Sequence, residues 1–267
     1  MRNHAQEITH NEGNSSTTAY DFTVTLSKAS DAEVKVDYAS ANGTAKTSDS
    51  DYTGVSGTLT FAPGETTKTI RVFVNGDSKV ETDETFTVVL SSLVNNTRSI
   101  TLPVGTATGT GTLTNDDYAS LAINDMSVNE ADGHATFTVT LTGIVQDQFS
   151  IDYATEDNTA VSASDYTAIA ATKLYFGSTN SNTQTFDVTI ANDVLSEATE
   201  YYHVNLGNLL PNSQSNITIS KSQGLGTIID NDIVHLTLHE FAPITESEVP
   251  QTRNFYVTRD KASQSDY

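Results

Sequence analysis

The sequence predicts an all-β protein built from tandem antiparallel β-sandwiches of the immunoglobulin-like, Greek-key type, with about seven strands in each. Three observations support this fold class. Short segments alternate apolar with polar residues, turn-forming residues separate those segments at regular spacing, and the apolar stripes of amphipathic helices are missing. A chain of 267 residues is long enough for about two such domains.

The alternation runs through both halves of the chain. Apolar residues two positions apart point to the same face of a strand, so each run predicts a half-buried strand. The runs are Phe22, Val24 and Leu26; Val34, Val36 and Tyr38; Ile70, Val72 and Val74; Phe86, Val88 and Leu90; Phe137, Val139 and Leu141; and Phe186, Val188 and Ile190. Turn signals such as Asn42-Gly43 and Pro63-Gly64 lie between the runs.

An internal repeat sets the predicted domain boundaries. The segment Asp21–Leu26 returns as Thr136–Leu141, Ser50-Asp-Tyr52 returns as Ser164-Asp-Tyr166, and the order of the matching segments is the same in both copies. Asp117 and Asp232 end the two copies. The predicted domains are therefore residues 1–117, residues 118–232 and, as the truncated start of a third repeat, residues 233–267, which contribute Val234, Leu236 and Leu238 and then Phe255 and Val257.

Charge and composition exclude several classes of function. The net charge of −21 repels phosphate backbones and anionic lipid headgroups, so we expect no nucleic-acid partner. No apolar stretch is long enough to cross a bilayer, so we expect no direct membrane insertion. The chain has no Cys and no Trp, which excludes thiolate chemistry and argues against a sugar-cleaving site, and it has no Gly-x-Ser-x-Gly motif. We expect that the protein is not an enzyme.

Acidic residues collect at corresponding strand ends and turns of the two repeats. In a Greek-key sandwich, the loop after the fifth strand, the Ser-Asp-Tyr segment and the exit of the last strand can converge on one end. The residues concerned are Glu12, Asp51, Asp77, Glu81, Asp83, Glu84, Asp116 and Asp117 in the first repeat, and Glu130, Asp165, Asp193, Glu197, Glu200, Asp230 and Asp232 in the second.

Such converging carboxylates predict a bound cation, because each negative charge raises the pKa of its neighbours unless a cation compensates them. Ca²⁺ accepts about 6–8 oxygen ligands in a flexible geometry and so tolerates ligands from several loops, whereas Mg²⁺ requires a stricter octahedron. A set of oxygen ligands without His or Cys disfavours zinc and copper. The sequence therefore predicts Ca²⁺ as the cofactor.

Several motifs resemble the Calx-beta family, which is known from sodium–calcium exchangers and many bacterial surface proteins. The resemblance covers nearly the whole chain, and the motifs quoted for it are those of the first repeat. The motifs are Val36-Asp-Tyr-Ala-Ser40, Gly43-Thr-Ala45, Ser50-Asp-Tyr52, Gly57-Thr-Leu-Thr-Phe61, Glu81-Thr-Asp-Glu-Thr-Phe86 and Asn115-Asp-Asp117.

The resemblance implies specific calcium ligands, with Lys79 at a position where the family can use a backbone carbonyl. The acidic runs are shorter than in family members with several ions, and Thr199 stands where the first repeat has Asp83. We therefore expect one or two ions per repeat, with dissociation constants of roughly 10⁻⁴–10⁻³ M. The implied ligands are Glu12, Asp51, Asp77, Glu81, Glu84, Asp116 and Asp117, and then Glu130, Asp165, Asp193, Glu197, Glu200, Asp230 and Asp232.

Together, these expectations describe a segment of a larger extracellular or cell-surface protein. Calcium would rigidify the joints between neighbouring repeats, at Asp116-Asp117 and Asp230-Asn-Asp232, in a rod used for adhesion or matrix spacing. A cell-surface or matrix ligand would be a further partner. Two alternatives remain open: an intracellular calcium sensor, and a carbohydrate- or protein-binding module in which calcium is structural.

Overall fold

The computed structural model describes residues 6–102, 107–177, 180–211, 216–239 and 256–260, and the chain divides into two compact units. Unit 1 is Met1–Ser120 with Thr142–Gln148 and Pro211–Thr218, and unit 2 is Leu121–Leu141, Phe149–Leu210 and Ile219–Tyr267. The domain boundaries predicted after residues 117 and 232 stay predictions. In the predicted third segment, residues 240–255 and 261–267 lie outside the described residues, as do residues 1–5 of the first.

The described part of the first repeat contains long strands and two very short ones. Their bounds are β1 (Glu7–Asn11), β2 (Thr17–Thr25), β3 (Val34–Asn42), β4 (Tyr52–Thr53), β5 (Ser56–Phe61), β6 (Thr67–Asn75), β7 (Lys79–Val80), β8 (Glu84–Val94) and β9 (Thr108–Thr114).

The second half of the chain follows the same plan. Its strands are β10 (Ala119–Ile123), β11 (Met126–Asn129), β12 (His134–Thr142), β13 (Ile144–Val145), β14 (Phe149–Asp157), β15 (Thr172–Phe176), β16 (Thr183–Thr189), β17 (Glu200–Leu210), β18 (Ile217–Lys221), β19 (Gln223–Ile229), β20 (Leu236–Leu238) and β21 (Val257–Arg259). The described residues contain no α-helix, and the one helical turn is the 3₁₀ segment Glu130–Asp132. No helix in this part of the chain has the length and apolar character needed to span a membrane.

Two sheets form the sandwich of unit 1, and within these two sheets the pairing is antiparallel with one exception. The five-stranded sheet has the order β1-β9-β8-β3-β5 and the three-stranded sheet the order β2-β6-β4. The exception is the first strand, β1, which runs parallel to the last strand, β9, so that Glu7 faces Thr110 and Asn11 faces Thr114. A parallel pair brings the ends of both strands to the same side of the sheet, which matters for the site described below.

The core of unit 1 lies between these sheets and confirms the predicted all-β sandwich. Phe22, Val72 and Val88, from three of the predicted apolar runs, are buried. Tyr52 stacks on Phe86 with ring centroids 4.6 Å apart, which joins the short strand β4 to the opposite sheet. Burial of such side chains stabilises the folded state by about 25 cal/mol per Å² of apolar area. The alternation of apolar and polar residues places these side chains on the inner face of each sheet and so forms the core.

Unit 2 repeats the architecture. Its sheets have the orders β11-β19-β17-β14-β15 and β16-β12-β10-β18, and β11 is parallel to β19 as β1 is to β9. Strand β10 lies beside β12 and buries Leu121 and Ile123 completely or nearly so. Strands β20 and β21 form a separate antiparallel pair.

Gly111 and Gly226 each lie against a buried aromatic ring at matching positions of the two units, and this gives a testable prediction. A Cβ atom at Gly111 would collide with the ring of Phe86, and a Cβ at Gly226 would collide with Tyr202. We expect Gly111→Ala and Gly226→Ala each to lower the free energy of unfolding by about 1–3 kcal/mol through overpacking, as measured by urea denaturation. Gly207→Ala is the matched control, because a Cβ atom at Gly207 would have no neighbouring atom within 4 Å; equal losses in all three variants would contradict the packing explanation.

Candidate metal centres

The Ser-Asp-Tyr motif folds in the same way in both units and positions an aspartate. In unit 1 the Tyr52 hydroxyl donates to Asn42 Oδ1 at 2.6 Å, and the Asp51 carboxylate accepts from the Lys46 backbone N–H at 2.7 Å. Both the Tyr52 ring and the preceding Asp51 are buried. In unit 2, Tyr166 stacks on Tyr202 at 4.6 Å, and Asp165 accepts from the Val161 N–H at 2.6 Å.

The first acidic group of unit 1 joins Asp51 to residues at the start of β8. Oxygen atoms of Asp51, Glu81 and Glu84 all lie within 4.8 Å of one another. Glu84 is the first residue of β8, and Glu81 lies between β7 and β8. Residues far apart in sequence therefore present carboxylates to one point, as predicted from the loop positions.

The second acidic group of unit 1 follows from the parallel pairing of β1 and β9. Glu12 comes directly after β1, Asp116 and Asp117 come shortly after β9, and the two strands end on the same side. The Glu12 N–H donates to the Thr114 carbonyl at 3.2 Å. Carboxylate oxygens of Glu12, Asp116 and Asp117 consequently lie within 4.8 Å of one another.

Burial and, after it, repulsion between carboxylates raise the pKa values of acidic residues in unit 1. Burial, followed by the charges of Glu81 and Asp77, raises the pKa of Glu12 from 4.5 to about 8. Burial, followed by the neighbouring Asp51 carboxyl, raises the pKa of Glu84 to about 8. Burial also raises the pKa of Asp117, against the opposing hydrogen bond from Asn14. The folded protein therefore holds carboxylates whose ionised form it does not stabilise by itself.

Three buried oxygens of unit 1 have no hydrogen-bond partner among the described residues: Glu12 Oε1, Glu84 Oε2 and Asp117 Oδ2. Most buried polar atoms in proteins are hydrogen-bonded, and each exception requires an explanation. A bound cation would coordinate oxygens of this kind and remove the repulsion between them. The unpartnered oxygens belong to both acidic groups of unit 1.

Lys79 supplies one positive charge beside the acidic residues Asp77 and Glu81 of unit 1. Its ammonium lies 2.6 Å from Glu81 Oε1 and 3.3 Å from Asp77 Oδ2. Burial alone would lower the pKa of Lys79, but the hydrogen bond and charge of Glu81 raise it. The sequence interpretation assigned Lys79 a backbone role and missed this side-chain contact, although a Lys between acidic residues was a visible signal.

Unit 2 contains the matching pair of groups. Strands β11 and β19 are parallel, and Glu130 follows the first while Asp232 lies beyond the second. The Asp193 N–H donates to Glu130 Oε1 at 2.5 Å. The two groups, each with oxygens within 4.8 Å of one another, are Glu130, Asp193 and Asp232, and Asp165, Glu197 and Glu200.

Burial and the charges of Asp193 and Glu200 raise the pKa of Glu197 from 4.5 to about 7. Residues of both groups line one small concavity, with a cavity volume of about 10 Å³. That volume corresponds to about one water-sized sphere. At the position of Lys79, unit 2 has Leu195, whose N–H donates to Asp193 Oδ1 at 2.6 Å, so no lysine ammonium is supplied there.

The structure brings most of the predicted ligands together. Two of them stand outside the four groups. Asp77 pairs with Lys79 and accepts its backbone N–H at 2.7 Å, and Asp230 lines the concavity of unit 2 and accepts from the Asp232 N–H at 3.2 Å. The predicted ligands that fall within the groups are Glu12, Asp51, Glu81, Glu84, Asp116, Asp117, Glu130, Asp165, Asp193, Glu197, Glu200 and Asp232.

Two further residues support the site of unit 1 and were missed in the sequence. Asn14 Nδ2 donates to Asp117 Oδ1 at 2.5 Å, and Asn115 Oδ1 accepts from the Glu81 N–H at 3.2 Å. Asp83 accepts from the Asn115 N–H at 3.1 Å, so it positions the loop without joining a group. The position of Asn115, next to Asp116, was the available signal.

The donor set fits a hard divalent cation. Each group consists of carboxylate oxygens, and neither His nor Cys takes part. Carboxylates delivered from separate loops suit the irregular coordination of Ca²⁺ better than the strict octahedron of Mg²⁺. An additional positive charge would satisfy the unpartnered buried oxygens of unit 1.

Comparison with known proteins agrees with the repeated architecture. The sequence matches the Calx-beta domain over residues 6–117 and again over residues 114–232. It is 30% identical over 186 residues to sodium/calcium exchanger 2 of Rattus norvegicus and of Homo sapiens, a match covering 64% of this chain and 20% of each exchanger. Against sodium/calcium exchanger 1 of Mus musculus the identity is 33% over 143 residues, covering 48% of this chain and 15% of the exchanger.

The aligned region thus spans about one fifth of the length of the first of these relatives. Solved structures of CBD12 from CALX1.2 and of the calcium binding domain CBD12 of CALX1.1 share 21% and 20% identity with the chain, cover 84% and 83% of it and 96% of their own chains, and have TM-scores of 0.39. With matches to the family over both repeats, the chain belongs to the Calx-beta domain family and carries two tandem copies of the domain.

Proposed function

We propose that the chain is a tandem calcium-binding module in which each unit takes up Ca²⁺ at its paired acidic groups, with one or two ions per unit. The observation that carries this proposal is the set of buried, unpartnered carboxylate oxygens on Glu12, Glu84 and Asp117, all at one end of unit 1. Relatives named as sodium/calcium exchangers support the choice of ion.

Within each unit the chain's own residues would do the following. Asp51 and Glu84 hold one ion at the start of β8, and Glu12 with Asp117 hold another beside the exit of β9. The cation would neutralise carboxylates that now repel one another. The same division applies to the two groups of unit 2.

The module would serve as a non-enzymatic spacer in an extracellular or cell-surface protein. Asp116 and Asp117 directly precede the second repeat in sequence, so an ion held there would restrict the rotation of the connecting chain. A row of such repeats would extend an adhesive or matrix-binding partner domain away from its base. The resemblance to sodium/calcium exchangers supports a second candidate, a calcium-sensing regulatory module, which would use the same ligands.

Calorimetric titration with calcium tests the binding proposal. We expect saturable heats from the full chain, with dissociation constants of roughly 10⁻⁴–10⁻³ M. Asp51→Asn should abolish the heat assigned to one group of unit 1 and Asp165→Asn that of one group of unit 2, each leaving the other unit's binding intact.

The matched controls are Glu7→Gln and Glu156→Gln, which neutralise exposed carboxylates outside the four groups. They should leave the titration unchanged. Loss of binding in the controls to the same extent as in the Asp variants would mean that net charge alone attracts calcium, and the assigned groups would then be wrong.

A further inference from the structure

The acidic group of Asp51, Glu81 and Glu84, called the Asp51 group below, contains an oxygen that the protein leaves unpartnered. Glu84 is 9% exposed, and its Oε2 has no hydrogen-bond partner among the described residues. Asp51 is also buried. Buried carboxylate oxygens of this kind require a compensating positive charge.

A lysine ammonium contacts the same group. Lys79 Nζ lies 2.6 Å from Glu81 Oε1, and the side chains are 27% and 4% exposed. Water and salt screen a partly buried pair less than an exposed one. A calcium ion that binds Glu81 must therefore displace the ammonium or accept its repulsion at a separation of a few ångströms.

The matching segment of unit 2 has the same backbone arrangement but a different side chain. In unit 1 the Lys79 N–H donates to Asp77 Oδ1 at 2.7 Å, and in unit 2 the Leu195 N–H donates to Asp193 Oδ1 at 2.6 Å. In both units a glutamate of the acidic group follows two positions later. Leu195 therefore occupies the position of Lys79 without carrying a charge.

A second position differs between the units in the same sense. The Lys46 N–H donates to Asp51 Oδ2 at 2.7 Å, and the Val161 N–H donates to Asp165 Oδ2 at 2.6 Å. A neutral residue thus again stands where unit 1 has a lysine. The Lys46 side chain is 51% exposed and water screens its charge, so the partly buried Lys79 makes the larger difference.

The Asp51 group and its counterpart in unit 2, the Asp165 group of Asp165, Glu197 and Glu200, consequently offer a cation different electrostatic environments. Burial raises the pKa of Glu81, but the hydrogen bond and charge of Lys79 oppose the rise. Burial, followed by the charges of Asp193 and Glu200, raises the pKa of Glu197 to about 7. Lys79 offsets part of the negative charge in unit 1, and Leu195 offsets none in unit 2.

On the basis of the proposed calcium binding, we propose that Lys79 is a tethered counter-ion that makes the Asp51 group a weaker calcium site than the Asp165 group. The two units then fill at different calcium concentrations. The Asp165 group fills first, and calcium reaches the Asp51 group at higher concentrations by displacing the ammonium from Glu81. Lys79 sets the affinity of this group through its charge.

Backbone amide signals in an NMR titration of the full chain report the two groups separately. The Lys46 amide is bonded to Asp51 and the Val161 amide to Asp165, so their chemical shifts follow binding at each group. At constant ionic strength, we expect the midpoint calcium concentration for the Val161 amide to be roughly tenfold below that for the Lys46 amide. Equal midpoints would contradict the proposed order of filling.

Exchange of the two side chains tests Lys79 itself. Lys79→Leu should lower the midpoint of the Lys46 amide roughly tenfold, and Leu195→Lys should raise that of the Val161 amide by a similar factor. Lys79→Arg keeps the positive charge and should preserve the weak site. An unchanged Lys46 midpoint in Lys79→Leu, with normal titration of the Val161 amide, would overturn the proposal and leave calcium binding standing.

Lys68→Leu is the matched control, because Lys68 pairs with Glu65 and neither residue belongs to an acidic group. It removes the same charge and should leave both midpoints unchanged. Equal effects of Lys68→Leu and Lys79→Leu would assign the difference to net charge and overturn the proposal. If neither amide signal responds to about 100 mM calcium, the proposed calcium binding is itself wrong, and the role of Lys79 falls with it.

Thermal stability in chelator supplies a measurement without calcium. Lys79→Leu removes the compensating charge of the Glu81 carboxyl, whose side chain is 4% exposed. We therefore expect Lys79→Leu to lower the melting temperature in chelator by roughly 5 °C and to enlarge the calcium-induced rise by a similar amount. A melting temperature in chelator that Lys79→Leu leaves unchanged would show that the ammonium does not compensate the group, which contradicts the proposal.

Discussion

Chelation of calcium is expected to lower the melting temperature of the protein by roughly 10 °C relative to the calcium-saturated form. A ligand present at about 100 times its dissociation constant stabilises the folded state by about 2.7 kcal/mol per site. For a domain of about 100 residues, 1 kcal/mol corresponds to about 4–8 °C. The effect is large because calcium would both bind the folded state and remove the repulsion around Glu12 and Glu84.

Differential scanning calorimetry in about 10–100 mM calcium, which is about 100 times the expected dissociation constants, and in chelator measures this shift. Magnesium at the same concentration is the control, and we expect a much smaller effect from it because Mg²⁺ retains its water ligands. Identical melting temperatures in calcium and chelator would leave the acidic groups without a cation-binding role.

In chelator, the stability of the protein is expected to fall as the pH rises from about 5 to about 8. The pKa values of Glu12 and Glu84 are raised from 4.5 to about 8 in the folded state. Between those values the folded state binds more protons than the unfolded state, so a rise in pH favours unfolding. Below pH 4.5 both states are protonated and above about 8 both are ionised, so the dependence is confined to this window.

Saturating calcium should reverse the slope, because carboxylates bind the ion in their ionised form. Melting temperatures at a series of pH values should show a fall of roughly 5 °C or more in chelator and a rise in calcium. The hydrogen bond with Arg71 lowers the pKa of exposed Asp21 from 3.8. Titration of Asp21 therefore changes the stability only below this pH window. Glu12→Gln combined with Glu84→Gln should flatten the chelator curve, and an unchanged slope in that variant would show that other groups cause the pH dependence.

Which acidic residues share a group depends on strand direction, and strand direction cannot be read from the sequence. The sequence placed Glu12 and Asp117 at the two ends of one repeat, and the parallel pairing of β1 with β9 makes them neighbours. Asp77 looked equivalent to the other ligands, but the backbone N–H and side chain of Lys79 bind it instead. Charge pattern predicted which residues converge on a site, and local hydrogen bonds decided which of them share it.

Alternation and repetition determined by themselves that the chain is a tandem β-sandwich with acidic residues at its strand ends. A period of two has one physical interpretation, a half-buried strand, and a repeated pattern requires a repeated fold. The pairing of these residues into groups was decided only by the tertiary structure, because Glu12 and Asp117 lie at opposite ends of one repeat and become neighbours through the parallel pairing of β1 with β9. Which strand ends meet is a long-range contact, and no local pattern in the sequence encodes it.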